Sequence, residues 1–441
     1  MDELIQLRDK QSIVNVSNEI TKDLDHFSIY ELILQILTDY QPTQISPVLI
    51  ETLIDRYIVS IDNSIEDLSI LLSSVKQLNS PNSSYSNIYY DLLLFKISII
   101  YFRKCDFNSC ISSLNKISDL KFKDAFKLNY LELNLMYSLC FKVLKDSTNF
   151  DKYILKSYKL LKSAEFISNH DDNDNGEITD LDINRFKLIK FKIMCTYSDY
   201  LVTKNKLSES IETKFRLIQS YFSSSPNNLV YQRNEYMSYL IQLIKSFLLN
   251  LYLCEFNSSL LKNMILFYKL YKSNSKLQNI ISTKLDFKIL LILKFIENKI
   301  IKLDEIEEIQ KYFHDEYEYE HEPEPEPEPE RDNVTDGDSK DDQYEELIFN
   351  NLIKLDLILI SKNFENIKFN QILKLINFEN YSIIEELLID LNNNKLIFCK
   401  IDHIHEIVHF ENGDKSNGSN NDNNDWVTSI LSNIDNLSND I

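Results

Sequence analysis

Glycine is nearly absent from this chain, and that scarcity narrows the available folds more than any motif does. Of 441 residues four are glycine, Gly176, Gly337, Gly413 and Gly418, and each sits in a stretch rich in Asn, Asp and Ser rather than in an apolar periodic segment. A phosphate-cradling loop or a dinucleotide-binding turn needs glycine where strand passes into helix, because the backbone must approach the phosphate closely. Neither can be assembled here. Helices separated by short polar breaks remain the natural solution.

The apolar residues agree. Ile88, Leu92, Phe95, Ile99 and Phe102 form one helical stripe, and after the break "RKCD" a second begins with Phe107, Cys110, Ile111, Leu114 and Ile117. The pairing returns with Leu128, Leu131, Leu135 and Leu139, then Ile154, Tyr158 and Leu161. It returns with Leu188, Phe191 and Cys195, then Leu207, Ile211, Phe215 and Ile218, and again with Tyr236, Leu240, Leu243 and Phe247, then Leu261, Met264 and Tyr268. Copies lie roughly 40 to 60 residues apart without a fixed consensus, as in irregular solenoids of helical pairs, where each pair must stack on its neighbours. A long helix over about Ile281 to Ile300 and a shorter one ending at Phe313 are expected to close the array.

Length alone allows roughly two to four domain-sized units. Residues 1–79 read as a helical cap and 80–313 as the repeat array. The segment from Asp315 to Asp342 holds fourteen acids and two bases, more than half of the formal charge of −21. Its Glu-Pro tract cannot be helical and its like charges repel, so 314–343 reads as a disordered acidic insertion. An overall acidic chain is poorly suited to a phosphate backbone. The six cysteines lack C-x-x-C spacing and read as buried free thiols in a reducing compartment. "MDELIQLRDK" has no apolar run of a secretory signal, and the most apolar window, Tyr236 to Phe256, is interrupted by Gln242, Lys245 and Asn250, which argues against a membrane span.

Beyond the insertion the pattern changes. Tyr344 to Ser361 is helical, "NIKF" is short and extended, Asn370 to Ile376 and Ser382 to Leu391 are helical, and "LIFCKID" followed by "EIVHFE" alternates at period two. Helix, strand, two helices and a two-stranded hairpin is the order of a winged helix, over 344–411. A polar linker, 412–424, leads to a final helix, 425–441, with Trp426, Ile430, Ile434, Leu437 and Ile441 on one side.

Helical pairs, a winged helix and a terminal helix together resemble PCI-domain proteins, and within them the COP9 signalosome subunit 4 family. The stretch "IDHIHEIVHFE", 401 to 411, is similar to that family's wing, including His409, Phe410 and Glu411, with Glu406 standing where the family has a glycine. "NIKFNQILKLI" resembles its winged-helix opening and "KILLILKFIENKIIKLDEIEEI" its last superhelical pair. A sister family, the non-ATPase regulatory subunit 5 of the proteasome lid, shares the layout and an Asn-Asp-Trp before its last helix, as in Asn424, Asp425 and Trp426 here. The resemblance implies an all-α helical-repeat superhelix of TPR-like kind, then a small α+β winged-helix subdomain and a C-terminal helix.

Three stretches offer chemistry that competes with this frame. His403, His405 and His409, with Cys399 upstream, could be half of a metal site, but alternating strands with a turn between them do not converge three ligands. The signalosome's own metal motif, in a metalloprotease subunit of another fold, continues H-x-H with Pro and a later Ser and Asp, whereas Glu406 follows His405. "DDNDNGEITDLD", Asp171 to Asp182, fits an EF-hand loop at Asp171, Asn173, Asn175, Gly176 and Ile178, with Asp182 in place of the bidentate glutamate; a solvated linker is the competing reading. The would-be recognition helix "YSIIEELLIDL" carries Glu385, Glu386 and Asp390 and no base, which repels DNA. Those acids, like Glu307 and Glu308, read as solvated helix faces.

The resemblance therefore implies a non-catalytic scaffold of the signalosome, in cytoplasm and nucleus, supporting Nedd8 removal from cullins by another subunit. The alternatives are a lid scaffold or a calcium-binding helical protein. No catalytic residue, cofactor or metal is expected, and neither nucleic acid nor membrane. Expected partners are other PCI-domain subunits, the metalloprotease subunit of the same complex and, indirectly, cullin-type ubiquitin ligases. Ile407, Val408, His409 and Phe410 of the wing, whose strands are expected to end in an open sheet edge, and Trp426, Ile430, Ile434 and Leu437 of the last helix are the expected contact residues.

Overall fold

A computed structural model describes residues 10–40, 45–78, 87–168, 180–223, 234–320 and 340–411. The chain divides into two compact units, 1–200 and 201–441.

The first unit is built from helices α1 (Lys10–Ile20), α2 (His26–Asp39), α3 (Pro47–Ser60), α4 (Ile65–Leu78), α5 (Asn87–Arg103), α6 (Phe107–Leu114), α7 (Asp119–Ala125), α8 (Lys127–Val143), α9 (Ser147–Ser168) and most of α10 (Asp180–Thr203). The expected pairs α5–α6 and α8–α9 form. Between them sits α7, a short helix absent from the periodicity reading, which places Phe122 fully inside against Phe95 and Phe126, ring centroids 5.7 and 5.4 Å away.

All four glycines lie outside the described residues, so every described helix end is closed without one. Cys105, Lys145 and Asn205 each take the left-handed conformation, with φ of 60°, 57° and 57°. The N–H of the next residue, Asp106, Asp146 or Lys206, then reaches back to the carbonyl of Tyr101, Phe141 or Leu201 at 3.0, 3.0 and 2.9 Å. This is the long hydrogen bond of a Schellman end, usually made with glycine because a Cβ costs about 1 kcal/mol in that region. The repeats thus share a turn geometry that their sequences do not share. In two of the three the following aspartate caps the next helix: Asp106 accepts from Ser109 N and Asp146 from Asn149 N.

A polar network fixes the first unit from within. Glu51 of α3 accepts from Lys96 of α5, Asn129 of α8 and Arg185 of α10 at 3.3, 3.1 and 3.1 Å. Arg185 also holds Glu132 at 2.6 Å and Asn129, while Lys96 holds Asp55 at 2.6 Å. Burial alone would raise the Glu51 carboxyl, but Lys96 and Arg185 outweigh it and hold it down to about 2.

In the second unit come α11 (Leu207–Ser223), α12 (Asn234–Leu253), α13 (Ser258–Ser273) and α14 (Ser275–Lys284). The expected helix over Ile281 to Ile300 is not continuous. Leu285 is extended, Asp286 caps with its side chain on Lys288 N at 2.9 Å, and Phe287–Glu297 forms a 3-10 helix. The cause is tertiary: the buried Tyr252 hydroxyl enters this turn, donating to Ile289 O at 3.1 Å and accepting from Ile292 N at 2.9 Å. Helix α15 (Leu303–Glu320) runs past the expected end at Phe313, and α16 begins at Lys340 and runs to Asn363. The tract between, 321–339, lies outside the described residues.

The six cysteines, all among the described residues, form no disulfide. Their expected burial holds for Cys110, Cys140 and Cys254, whereas Cys105 is exposed and Cys195 and Cys399 are half-buried. No described helix is long and apolar enough to cross a membrane.

Candidate functional site

The wing is built from β1 (Asn366–Lys368), α17 (Phe369–Ile376), α18 (Tyr381–Asn393), β2 (Cys399–Asp402) and β3 (Ile407–Phe410). Asn377 and Lys395, at φ 62° and 56°, end the two helices as the repeat turns do. Asn380 caps α18 by accepting from Ser382 N at 3.1 Å. The core beneath the sheet is Ile367, Phe369, Ile372, Ile384, Leu388 and Val408, each at most 3% exposed.

The sheet is three-stranded in the order β1-β3-β2, not a hairpin alone. Strand β3 is its centre, paired antiparallel with β1 (Ile367 opposite Val408) and with β2 (Ile401 opposite Val408). The open edge expected at the wing therefore belongs to β1 and β2. Ladder bonds Phe410 N to Glu365 O and Glu411 N to Phe398 O set the alternation, so Asn366 and Lys368, and Cys399 and Ile401, direct their backbone groups outward. One outward N–H on each edge is already satisfied: Lys368 N by Gln371 Oε1 and Cys399 N by Asn392 Oδ1, both at 3.2 Å. Short, partly capped edges offer little for strand addition.

This geometry separates the predicted contact residues. Val408 and Phe410 point into the chain's own core, 0% and 6% exposed, and cannot present side chains to a partner. Ile407 and His409 stand half-buried on the opposite face. There His409 Nδ1 lies 2.5 Å from Asn366 Oδ1, and Lys400 pairs with Glu411. Trp426, Ile430, Ile434 and Leu437 lie outside the described residues.

The hairpin tip, 403–406, is a turn that Asp402 organises. Its Oδ1 accepts from Ile404 N at 3.0 Å and His405 N at 3.2 Å, and its Oδ2 meets His405 Nδ1 at 2.7 Å; these bonds hold the carboxyl below its ordinary range. Glu406 takes φ 54°, the conformation that favours the glycine of the resembled wing. Ile404 at the tip is 88% exposed, a residue the sequence reading passed over. The alternation of the flanking strands marked the turn but gave no sign of which way its apolar side chain points.

The three histidines have separate engagements: His403 Nε2 is 3.8 Å from Glu385, His405 is on Asp402 and His409 is on Asn366. Among the described residues no group of three His, Cys, Asp or Glu side chains is placed to hold a metal ion. Of the acids on α18, Asp390 pairs with Lys354 of α16 at 2.5 Å. The EF-hand-like loop lies outside the described residues except Asp180 to Asp182, which open α10.

With the layout in place, comparison with known families gives one match: the PCI domain, over residues 310–412. The chain thus carries a PCI domain whose helices α15 and α16 lead into the winged helix, preceded by helical repeats. No curated protein matches the sequence. PCI domains typically assemble into multi-subunit complexes and occur in non-catalytic scaffold subunits.

Proposed function

We propose that this protein is a non-catalytic scaffold subunit of the COP9 signalosome, supporting removal of Nedd8 from cullins by the metalloprotease subunit of the same complex. The observation that carries the reading is the wing. Residues 401–411, the stretch that resembles the subunit 4 family, fold as strand, turn and strand inside a PCI domain, with Glu406 in the conformation of the glycine it replaces. The partners are other PCI-domain subunits, and cytoplasm and nucleus are the compartments. The wing contributes its outer face, Ile407 and His409, and its tip, Ile404. Trp426, Ile430, Ile434 and Leu437 contribute an apolar stripe read from their spacing. A second reading, a scaffold of the proteasome regulatory lid, is favoured by Asn424, Asp425 and Trp426.

Affinity purification of the tagged chain from its source cells, with mass spectrometry of what accompanies it, separates the two. Recovery of PCI-domain subunits with a deneddylating metalloprotease supports the first reading; recovery of proteasomal ATPases supports the second and overturns the first. In the same pull-down the double change Ile430→Asp and Ile434→Asp should remove the chain from its complex. Each large apolar side chain buried by a partner contributes about 1.5 to 3 kcal/mol.

A further inference from the structure

Two of the six cysteines meet inside the first unit. The Cys140 thiol, on α8, donates to Cys110 Sγ, on α6, at 3.6 Å, and both side chains are fully buried in the core there. Cys254 and Cys399 contact oxygen instead, Ser208 Oγ at 3.4 Å and Leu388 O at 3.9 Å. The meeting joins different helical pairs, since α6 closes the pair α5–α6 and α8 opens the next, with α7 between them in the chain. A second contact keeps the same seam in register. Tyr137 of α8 donates to Asn115 Oδ1, just past the end of α6, at 2.9 Å.

A disulfide bond is about 2.05 Å long, so the two sulfurs have about 1.5 Å to close. Rotation about each Cα–Cβ bond moves a sulfur on that scale. We propose that Cys110 and Cys140 are a reversible redox pair, oxidised by a peroxide to a disulfide that staples consecutive helical pairs. One thiol loses its proton and attacks a peroxide oxygen; the O–O bond breaks, a sulfenic acid forms, and the departing hydroxide takes up that proton as water. The second sulfur then attacks the sulfenic sulfur, forming the S–S bond as the S–O bond breaks, and the hydroxide leaves with the second thiol proton as another water. Two electrons pass from the dithiol to the peroxide. A thiol reductant returns them by exchange.

The closed seam protects the pair. Its hydrogen bond with Cys140 and its burial hold the Cys110 thiol far above its ordinary range, and a thiol is a poor nucleophile until it ionises. Oxidation therefore proceeds through local opening of the seam, which for a helix of eight residues is a smaller event than unfolding the unit. Once the bond forms, that opening is blocked. The staple is set by the helix motion that it then stops. This is independent of the proposed complex, because the purified full chain alone is enough to test it.

The test uses the full chain carrying Cys105→Ser, which removes the exposed thiol; the parent chain replaces it if that variant fails to fold. After treatment with hydrogen peroxide, free thiols are alkylated, the chain is digested without reductant, and linked peptides are read by mass spectrometry. The Cys110–Cys140 link should exceed every other pairing by at least about tenfold, because groups held together outrun chance encounters. Dithiothreitol should restore both thiols. Hydrogen exchange of the α6 and α8 backbone amides should slow in the oxidised chain, and Cys140→Ala should lose the link and the slowing together. Recovery of both residues as free thiols, oxidation of either to a sulfinic acid without a link, links to other cysteines in comparable yield, or unchanged exchange after linkage would each overturn the proposal.

Discussion

Glu51 in the first unit is half-buried and Asp356 in the second fully buried, and their surroundings push the two carboxyls in opposite directions. Glu51 is ringed by Lys96, Arg185 and Asn129 and stays ionised, held at about 2. Asp356 is fully buried on α16 and takes a single hydrogen bond, from Ile301 N at 2.9 Å, while its other oxygen has none. Burial pushes it up to about 8. The difference separates two uses of a buried acid. Partnered, it ties together helices α3, α5, α8 and α10, whose repeats have no consensus to fix their stacking. Nearly alone, it pins the Asn298–Lys302 connection ahead of α15 by accepting from Ile301 N.

The largest effect is expected at Arg185. Arg185→Met should destabilise the protein by about 3 kcal/mol, the low end for removing one member of a buried pair, because Arg185 is 31% exposed. Denaturant unfolding of the full chain measures it, and a loss below about 1 kcal/mol would mean that Glu51 does not depend on the network. The same argument fixes an acid limb. A depressed carboxyl contributes stability above its ordinary pKa of 4.5 and loses it as pH falls towards about 2. Glu51→Gln should therefore flatten the acid-denaturation profile over that window.

Asp356 predicts the opposite slope. Its folded form binds a proton that the unfolded form has released between 3.8 and about 8, so stability falls as pH rises through that window, by up to about 1.4 kcal/mol per unit. Asp356→Asn keeps an acceptor for Ile301 N and removes the titration. Its melting temperature relative to the parent should climb from pH 4 to 8 and level off above. A constant offset would show that Asp356 is ionised throughout.

Smaller effects belong to the helix ends. Lys145→Gly relieves a side chain in the left-handed region and should stabilise by about 0.5 kcal/mol, the relief being partly offset by greater freedom of the unfolded chain. Moved to Lys142 in the preceding turn of α8, the same glycine should destabilise by about 1 kcal/mol. Thermal melts of the two variants check the sign.

What the sequence disclosed follows from how locally each feature is encoded. The pairs α5–α6 and α8–α9 were visible because stripes such as Ile88, Leu92, Phe95 and Ile99 repeat at helical spacing, and the wing because Ile407 to Phe410 alternates. The Glu51 network was not, since its partners lie 45, 78 and 134 positions away and no local pattern joins them. The 3-10 helix at Phe287–Glu297 reads as ordinary helix because its breaker, the Tyr252 hydroxyl, belongs to α12. The alternation that located β3 could not say that β1, three residues long, would cover its second edge. Val408 and Phe410, read as contact residues from the wing motif, are instead its core, while Ile404 at the tip carries the exposure.

In the proposed role the chain supports cullin deneddylation without performing it. Its most direct test is the fraction of cullin carrying Nedd8, read by immunoblot in source cells depleted of the protein and then restored with the full chain. Modified cullin should accumulate on depletion and return to normal on restoration, and the purified chain alone should cleave no neddylated cullin with or without zinc. Unchanged cullin modification accompanied by a build-up of polyubiquitinated proteins would contradict it and place the chain in the proteasome lid instead.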